Sequence, residues 1–171
     1  MSAAAPINAT RQRRLRYAIR VRSASSRETW QLLSLIPELH PLTAFENWSA
    51  RLDQHETLCL VAEADWRPAG CIVGYSLDKR TFVNWLGGVL PEYRGCGIAR
   101  TLLQETEYLL AERGFRRVEM KAIMTAEKLL RLLESEGYER IGVETSRRGQ
   151  KLLYTKRLAP IPVPVLHPLV L

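Results

Sequence analysis

Thr81-Phe82-Val83-Asn84-Trp85-Leu86-Gly87-Gly88-Val89 runs through Leu90-Pro91-Glu92-Tyr93 into Arg94-Gly95-Cys96-Gly97-Ile98-Ala99-Arg100. The class of this protein turns on what that passage does. Thr81 to Val89 is rich in β-branched and aromatic residues, which suits a strand. From Ile98 onward Leu102, Thr106 and Leu109 recur four or three apart, with Leu103 and Leu110 alongside, so a helix begins within or just after the glycines and ends at Gly114. A strand therefore delivers the chain into a glycine loop that opens a helix. The first N–H groups of a helix have no acceptor of their own, and its dipole adds about half a positive charge there. Gly95 and Gly97 remove Cβ atoms from the loop, and Arg94 places a planar cation beside it. The product is a cradle for a phosphate or pyrophosphate, made mostly of main chain.

Known cradles of this kind differ in their side chains. The Walker loop ends Gly-Lys-Ser/Thr, whereas Gly97 is followed by Ile98-Ala99-Arg100, with neither the lysine nor the magnesium ligand. The dinucleotide fingerprint needs a third glycine where Arg100 stands, although Glu119 lies at about the right distance for its acidic residue. A bare tight turn is the remaining plain reading.

Outward from the loop the elements alternate. Residues 17–22 read as a strand. Ser25 and Glu28 form a capping box before a helix carrying Trp30, Leu33 and Ile36, which stops before Pro37. His40-Pro41 is a turn. Thr43 and Glu46 predict a second box, ahead of Phe45, Trp48 and Leu52 at helical spacing. Apolar runs at 57–63 and 70–77 are joined by Asp65 to Gly70 as a hairpin. Val118, Met120 and Ala122 alternate as a strand. Thr125 is the expected N-cap of a helix with Ala126, Leu129, Leu130 and Leu133 on one face, closed at Gly137. Ile141–Thr145 and Lys151–Thr155 are the last strands. The order βααβββαβαββ predicts an α/β fold: a mixed, mostly antiparallel sheet of about seven strands, flanked by about four helices.

Composition agrees. A chain of 171 residues, 46% hydrophobic and 25% charged, is one globular domain. It divides into a basic arm at 1–14, a domain at 15–158 and an apolar, proline-rich tail at 159–171. The net charge of +7 sits on residues 1–27, which carry seven arginines and no acid, while the remainder is balanced. A nucleic-acid binder is not built this way, and the arm reads as a solvated lead into the first strand. An arm that touches an anionic partner, or an organelle presequence, is the sharper alternative; the alternation at 17–22 weighs against the presequence. Pro160, Pro162, Pro164 and Pro168 bar the tail from helix, yet it is too apolar to hang free. It is expected to cover a groove of its own domain or of a second copy, which would make a homodimer. Cys59, Cys71 and Cys96 form no pair, so free thiols in a reducing, cytoplasmic setting are expected. The histidines have no zinc spacing, so no metal is expected, and no apolar run is long enough to span a bilayer, so no membrane association is.

Arg94-Gly95-Cys96-Gly97-Ile98-Ala99 also matches Arg/Gln-x-x-Gly-x-Gly/Ala. With Val89-Leu90-Pro91-Glu92-Tyr93 before it and Leu102-Leu103 after, the segment resembles the coenzyme A loop of the GNAT superfamily of N-acetyltransferases. Val118-x-Met120-x-Ala122, the leucine-rich helix and Glu136-Gly137-Tyr138 resemble that family's fifth strand, fourth helix and Gly-Phe/Tyr corner. The resemblance implies the acyl-CoA N-acyltransferase fold, splayed between its fourth and fifth strands. It implies acetyl-CoA as co-substrate, its pyrophosphate on Arg94, Gly95, Cys96, Gly97, Ile98, Ala99 and Arg100, and its pantetheine along Gly87, Gly88 and Val89. Gly87-Gly88 also suits a strand bulge. The amine, on a small molecule or a protein, would enter from the opposite side of the splay and attack directly in a ternary complex, near the first two helices. The family's usual tyrosine acid falls on Leu133 and its usual asparagine on Ala126; the glutamates some members carry fall on Lys121 and near Val83. The catalytic side chains are therefore unassigned, with Glu119, Tyr138 and Asn84 as unranked candidates. A non-catalytic acyl-CoA-binding or regulatory protein on the same fold is the alternative.

Overall fold

The alternating and apolar runs assemble into one seven-stranded sheet. The computed structural model describes residues 17–147 and 149–162. Its strands are β1 (Ile19–Ser23), β2 (Thr57–Ala64), β3 (Arg67–Ser76), β4 (Thr81–Val89), β5 (Arg117–Ile123), β6 (Glu139–Ser146) and β7 (Gly149–Arg157). Its helices are α1 (Ser26–Leu33), α2 (Phe45–Leu52), α3 (Ile98–Glu112) and α4 (Glu127–Ser135). The strand order is β1-β2-β3-β4-β5-β7-β6, and every neighbour is antiparallel except β4 and β5. The arm at 1–14 and residues 163–171 of the tail lie outside the described residues.

Period-2 alternation gives the sheet two apolar faces, and helices cover both. On one face α1 and α2 pack Leu33, Trp48 and Leu52 against Val61, Cys71 and Val73. On the other α3 and α4 pack Ile98, Leu102, Leu110 and Leu133 against Phe82 and Val118. Leu33, Leu110 and Leu133 are wholly buried; burying each contributes about 2 kcal/mol. At the β1 edge the nearly buried Glu63 accepts hydrogen bonds from Arg20 and Arg22. Those guanidinium groups, Arg22 first, hold its carboxyl below the usual range.

Several local expectations are corrected. The Ser25 hydroxyl does cap α1, accepting from the Glu28 N–H at 3.1 Å, but the Glu28 carboxylate turns to Arg22 instead of back to the cap. The Thr43 box does not form: α2 starts one residue later behind Ala44, with no side-chain cap, and the Thr43 carbonyl accepts from the Trp30 indole. Thr125 is not the cap of α4; Ala126 is, because the chain first closes a turn from Ala126 N–H to Ile123 O. The β2–β3 connection is shorter than read. Asp65 and Trp66 make the whole turn with φ of 48° and 68°, and β3 begins at Arg67. Positive φ at both central residues matches the right-handed twist of a two-residue hairpin, and the Asp65 carboxylate anchors it by accepting from Ala18 N–H.

The bulge in β4 is not at Gly87-Gly88. Val73 pairs with Leu86 and Gly74 with Asn84, which leaves Trp85 as the extra residue. Gly88 is small for another reason: a Cβ there would lie 2.6 Å from Ile36 Cδ1, so the segment after α1 rests on bare strand. The bulge sends Trp85 and Leu86 to the same face, against the α1/α2 cluster, where Trp85 stacks on Trp48 at 4.5 Å.

Candidate functional site

Directly after the bulge the sheet opens. β4 pairs with β5 only from Thr81 opposite Arg117 to Asn84 opposite Met120. Trp85–Val89 on β4 and Lys121–Ile123 on β5 diverge, because β5 stays paired to β7 along its whole length while β4 follows β3. In a strand, N–H and C=O groups turn to alternate sides. The Leu90 N–H bonds to Ala69 O on the β3 side, so Val89 and Gly87 turn theirs toward the gap. Among the described residues only the Val89 carbonyl is taken there, accepting from Arg94 Nε at 3.1 Å.

The open edge leads into the glycine loop. Gly95 and Gly97 have φ of 75° and 84°, the left-handed region that favours glycine. These reversals bend the chain so that consecutive amides converge at the start of α3. Tyr93 and Arg94 bond back to Leu90 and Pro91, and Thr101 N–H bonds to Gly97 O. Between them the N–H groups of Gly95, Cys96, Gly97, Ile98, Ala99 and Arg100 have no acceptor among the described residues. The first turn of α3 has no acidic residue to oppose an anion. Cys96 and Ile98 turn their side chains into the core, 4% and 1% exposed, so they offer the loop only main chain.

The charges beside the loop are already paired. Arg94 grips both oxygens of Glu38 with its two terminal nitrogens, at 2.6 and 2.8 Å. Glu38 is thereby pushed down to about 2, chiefly by that hydrogen bond. Arg100 lies 2.6 Å from Glu136 and donates to Ser135. Arg94 does stand beside the loop, and its fork joins the loop to the turn after α1 through Glu38.

The three acid–base candidates separate by face. Glu119 stands opposite Val83, on the α1/α2 side, with Arg117 at 4.0 Å. Asn84 and Tyr138 are on the α3/α4 side and are 2% and 4% exposed. Glu107 of α3 joins them from outside the sequence reading, as does Lys156 of β7, whose ammonium pairs with Glu107. A signal for Glu107 existed: it is a carboxylate four residues after Leu103 and three before Leu110, inside an apolar stripe. Leu133 is core, and Lys121 is ion-paired with Glu144. All three cysteines are free and buried, and burial pushes the Cys71 thiol up to about 12. A cavity of ≈ 370 Å³ lined by Ser26, Asp53, His55 and Arg113 lies by the far end of α3, away from the loop. No helix among the described residues is long and apolar enough to cross a membrane.

A sheet parted beside a glycine-opened helix defines an acyl-CoA N-acyltransferase fold, and comparison with known proteins agrees. The model of the acetyltransferase (GNAT) family matches residues 26–138, more than half of the chain, and the protein belongs to that family. Its structure is similar to the ribosomal-protein-S18-alanine N-acetyltransferase of Escherichia coli (TM-score 0.71, 13% identity, 88% of this chain and 99% of that one). It is similar to Ard1 of Thermoplasma volcanium (0.72, 15%, 83% and 99%). It is also similar to yncA of Salmonella typhimurium, solved with its cofactor acetyl-CoA (0.67, 16%, 88% and 99%). At these identities the likeness concerns the fold.

Proposed function

We propose that the protein transfers an acetyl group from acetyl-CoA to a primary amine by direct attack in a ternary complex. The observation that carries this reading is the run of six acceptorless amides from Gly95 to Arg100, set beside a strand edge open from Gly87 to Val89. The amides, with Arg94 and Arg100 as flanks, would hold the pyrophosphate; Gly87, Gly88 and Val89 would align the pantetheine by main-chain pairing. The amine would approach from the α1/α2 face, and Glu119, which looks out on that face, would be the carboxylate to take its proton. A C–N bond forms, the C–S bond breaks, and one proton passes from the amine to the departing sulfur. Acceptors with a small-molecule amine or a protein amino group both fit this chemistry.

Titration calorimetry with acetyl-CoA tests the reading. Wild type should bind, and Gly95→Asp should bind at least about 30-fold more weakly, since it places a carboxylate where phosphate belongs. A Cβ at Gly95 meets nothing within 4 Å, and aspartate is among the residues that enter the left-handed region most readily, so the strain of its φ of 75° should be small enough for the variant to fold. No wild-type binding at millimolar acetyl-CoA would defeat the proposal. The second reading, an acyl-CoA-binding protein without turnover, is favoured by Leu133 and Ala126 where the family's acid–base side chains are usual. Tight binding with no thiol release across an amine panel would select it.

A further inference from the structure

Buried polar groups are almost always hydrogen-bonded, because leaving one without a partner costs its lost hydration. Six buried side-chain polar atoms among the described residues have no partner, and four of them belong to one cluster: Asn84 Nδ2 and Oδ1, the Tyr138 hydroxyl and Glu107 Oε1. Asn84 comes from β4, Glu107 from α3, Tyr138 from the corner before β6 and Lys156 from β7. The Lys156 ammonium pairs with the other oxygen of Glu107 and lies 5.5 Å from the Tyr138 ring centroid. Burial, and the neighbouring Glu107 charge, hold the Tyr138 hydroxyl firmly protonated, with its pKa raised. The Tyr138 hydroxyl has both Glu107 and the Asn84 amide within reach, so Asn84 is held within the cluster while neither atom of its amide completes a hydrogen bond there.

Its position along β4 says what it faces. Because the bulge turns both Trp85 and Leu86 to the α1/α2 side, the residues presented on the α3/α4 side, from the glycine loop downward, are Val89, then Gly87, then Asn84. Gly87 contributes no side chain. Asn84 is also the last β4 residue before the strands part, paired with Met120. A ligand held by its phosphates at Gly95–Arg100 and lying along the open edge would run toward this amide, at the point where the strands part. Its far end is the thioester.

We infer that Asn84 is a catalytic residue whose Nδ2 donates a hydrogen bond to the acyl carbonyl oxygen of the bound thioester, and that Tyr138, Glu107 and Lys156 are the positioning residues that hold it. This rests on the acetyl-transfer reading above. The donor polarises the carbonyl and meets the negative charge that gathers on its oxygen as nitrogen attacks; no proton is transferred to or from the amide. The unpartnered Asn84 Nδ2 then has an explanation: it lacks an acceptor only until the substrate arrives.

The test uses the full chain, acetyl-CoA labelled with carbon-13 at the carbonyl, and Asn84→Leu. Leucine has similar volume and removes two unsatisfied polar atoms, so the melting temperature without ligand should hold or rise. Affinity for CoA itself should change less than threefold. The bound carbonyl resonance should move back toward its free value, and kcat should fall about 100-fold with KM for acetyl-CoA little altered. Tyr138→Phe should fold with the same core, lower kcat about fivefold and move the resonance part of the way; it decides the matter should Asn84→Leu not fold. An unchanged resonance and unchanged kcat in the variants would overturn the inference and leave Asn84 as the ligand of a buried water. Failure of the underlying reading is distinct, since wild type would then bind no acetyl-CoA. If wild type binds but turns over no amine, the resonance alone decides for or against Asn84.

Discussion

The glycine loop and the Asn84 cluster both hold polar groups that the protein does not satisfy, but they differ in kind. In the loop the bare groups are main-chain amides at the surface, and the side-chain charges around them are neutralised by Glu38 and Glu136. In the cluster the bare groups are side chains gathered in the core from a strand, a helix and the corner before β6. The loop can wait in water, which solvates its amides at little cost. The cluster cannot, and its four orphaned atoms lower the stability of the unliganded fold. On the acetyl-transfer reading, the difference assigns affinity to the loop end and activation of the acyl carbonyl to the buried end.

The largest effect should come from breaking the bulge that separates the two regions. A Cβ on Gly74 would sit 2.2 Å from Val83 O and 2.4 Å from Phe82 Cε1. Gly74→Ala should therefore destabilise the protein by about 3 kcal/mol in urea unfolding. A loss under about 1 kcal/mol would mean that β4 adapts easily and that Asn84 is not fixed. A smaller effect sharpens the loop side. Glu38→Gln frees the Arg94 guanidinium, and acetyl-CoA binding should tighten about threefold at low salt, with the gain lost at high salt. Unaltered affinity would show that amides alone set the attraction. The smallest effect lies at the β1 edge, where charges are paired for the fold rather than for a ligand. Arg22 and Arg20 lower the Glu63 pKa below 4.5. The stability this adds is present above the unfolded value and is lost as pH falls through the folded one. Melting of wild type should therefore fall more steeply than that of Glu63→Gln between about pH 5 and 3, with acetyl-CoA affinity at pH 7 the same in both. Parallel curves would remove Glu63 from the ledger of acid sensitivity.

What could be read from the chain followed the range of each interaction. The cradle is local, since glycines, a strand before them and a helical stripe after them suffice to turn amides toward one point. Arg94 was legible as a cation beside the loop, but its partner Glu38 lies 56 positions away and cancels it. The bulge was legible as a need for small residues near 87–88, and fell instead on Trp85, because the closest backbone approach is at Gly74 on the partner strand. Neither Thr43 nor Thr125 gave away that the chain enters its helix one residue later.

Residue order by itself determined the alternation of strands and helices, the glycine-opened helix and, with them, the family. Only the tertiary structure decided where the sheet parts, which face each of Glu119, Asn84 and Tyr138 looks out upon, and that a carboxylate of α3 meets a phenol from the corner before β6. Those are matters of register and packing between segments far apart in the chain, and a periodic pattern in one segment carries no record of the register it adopts against another.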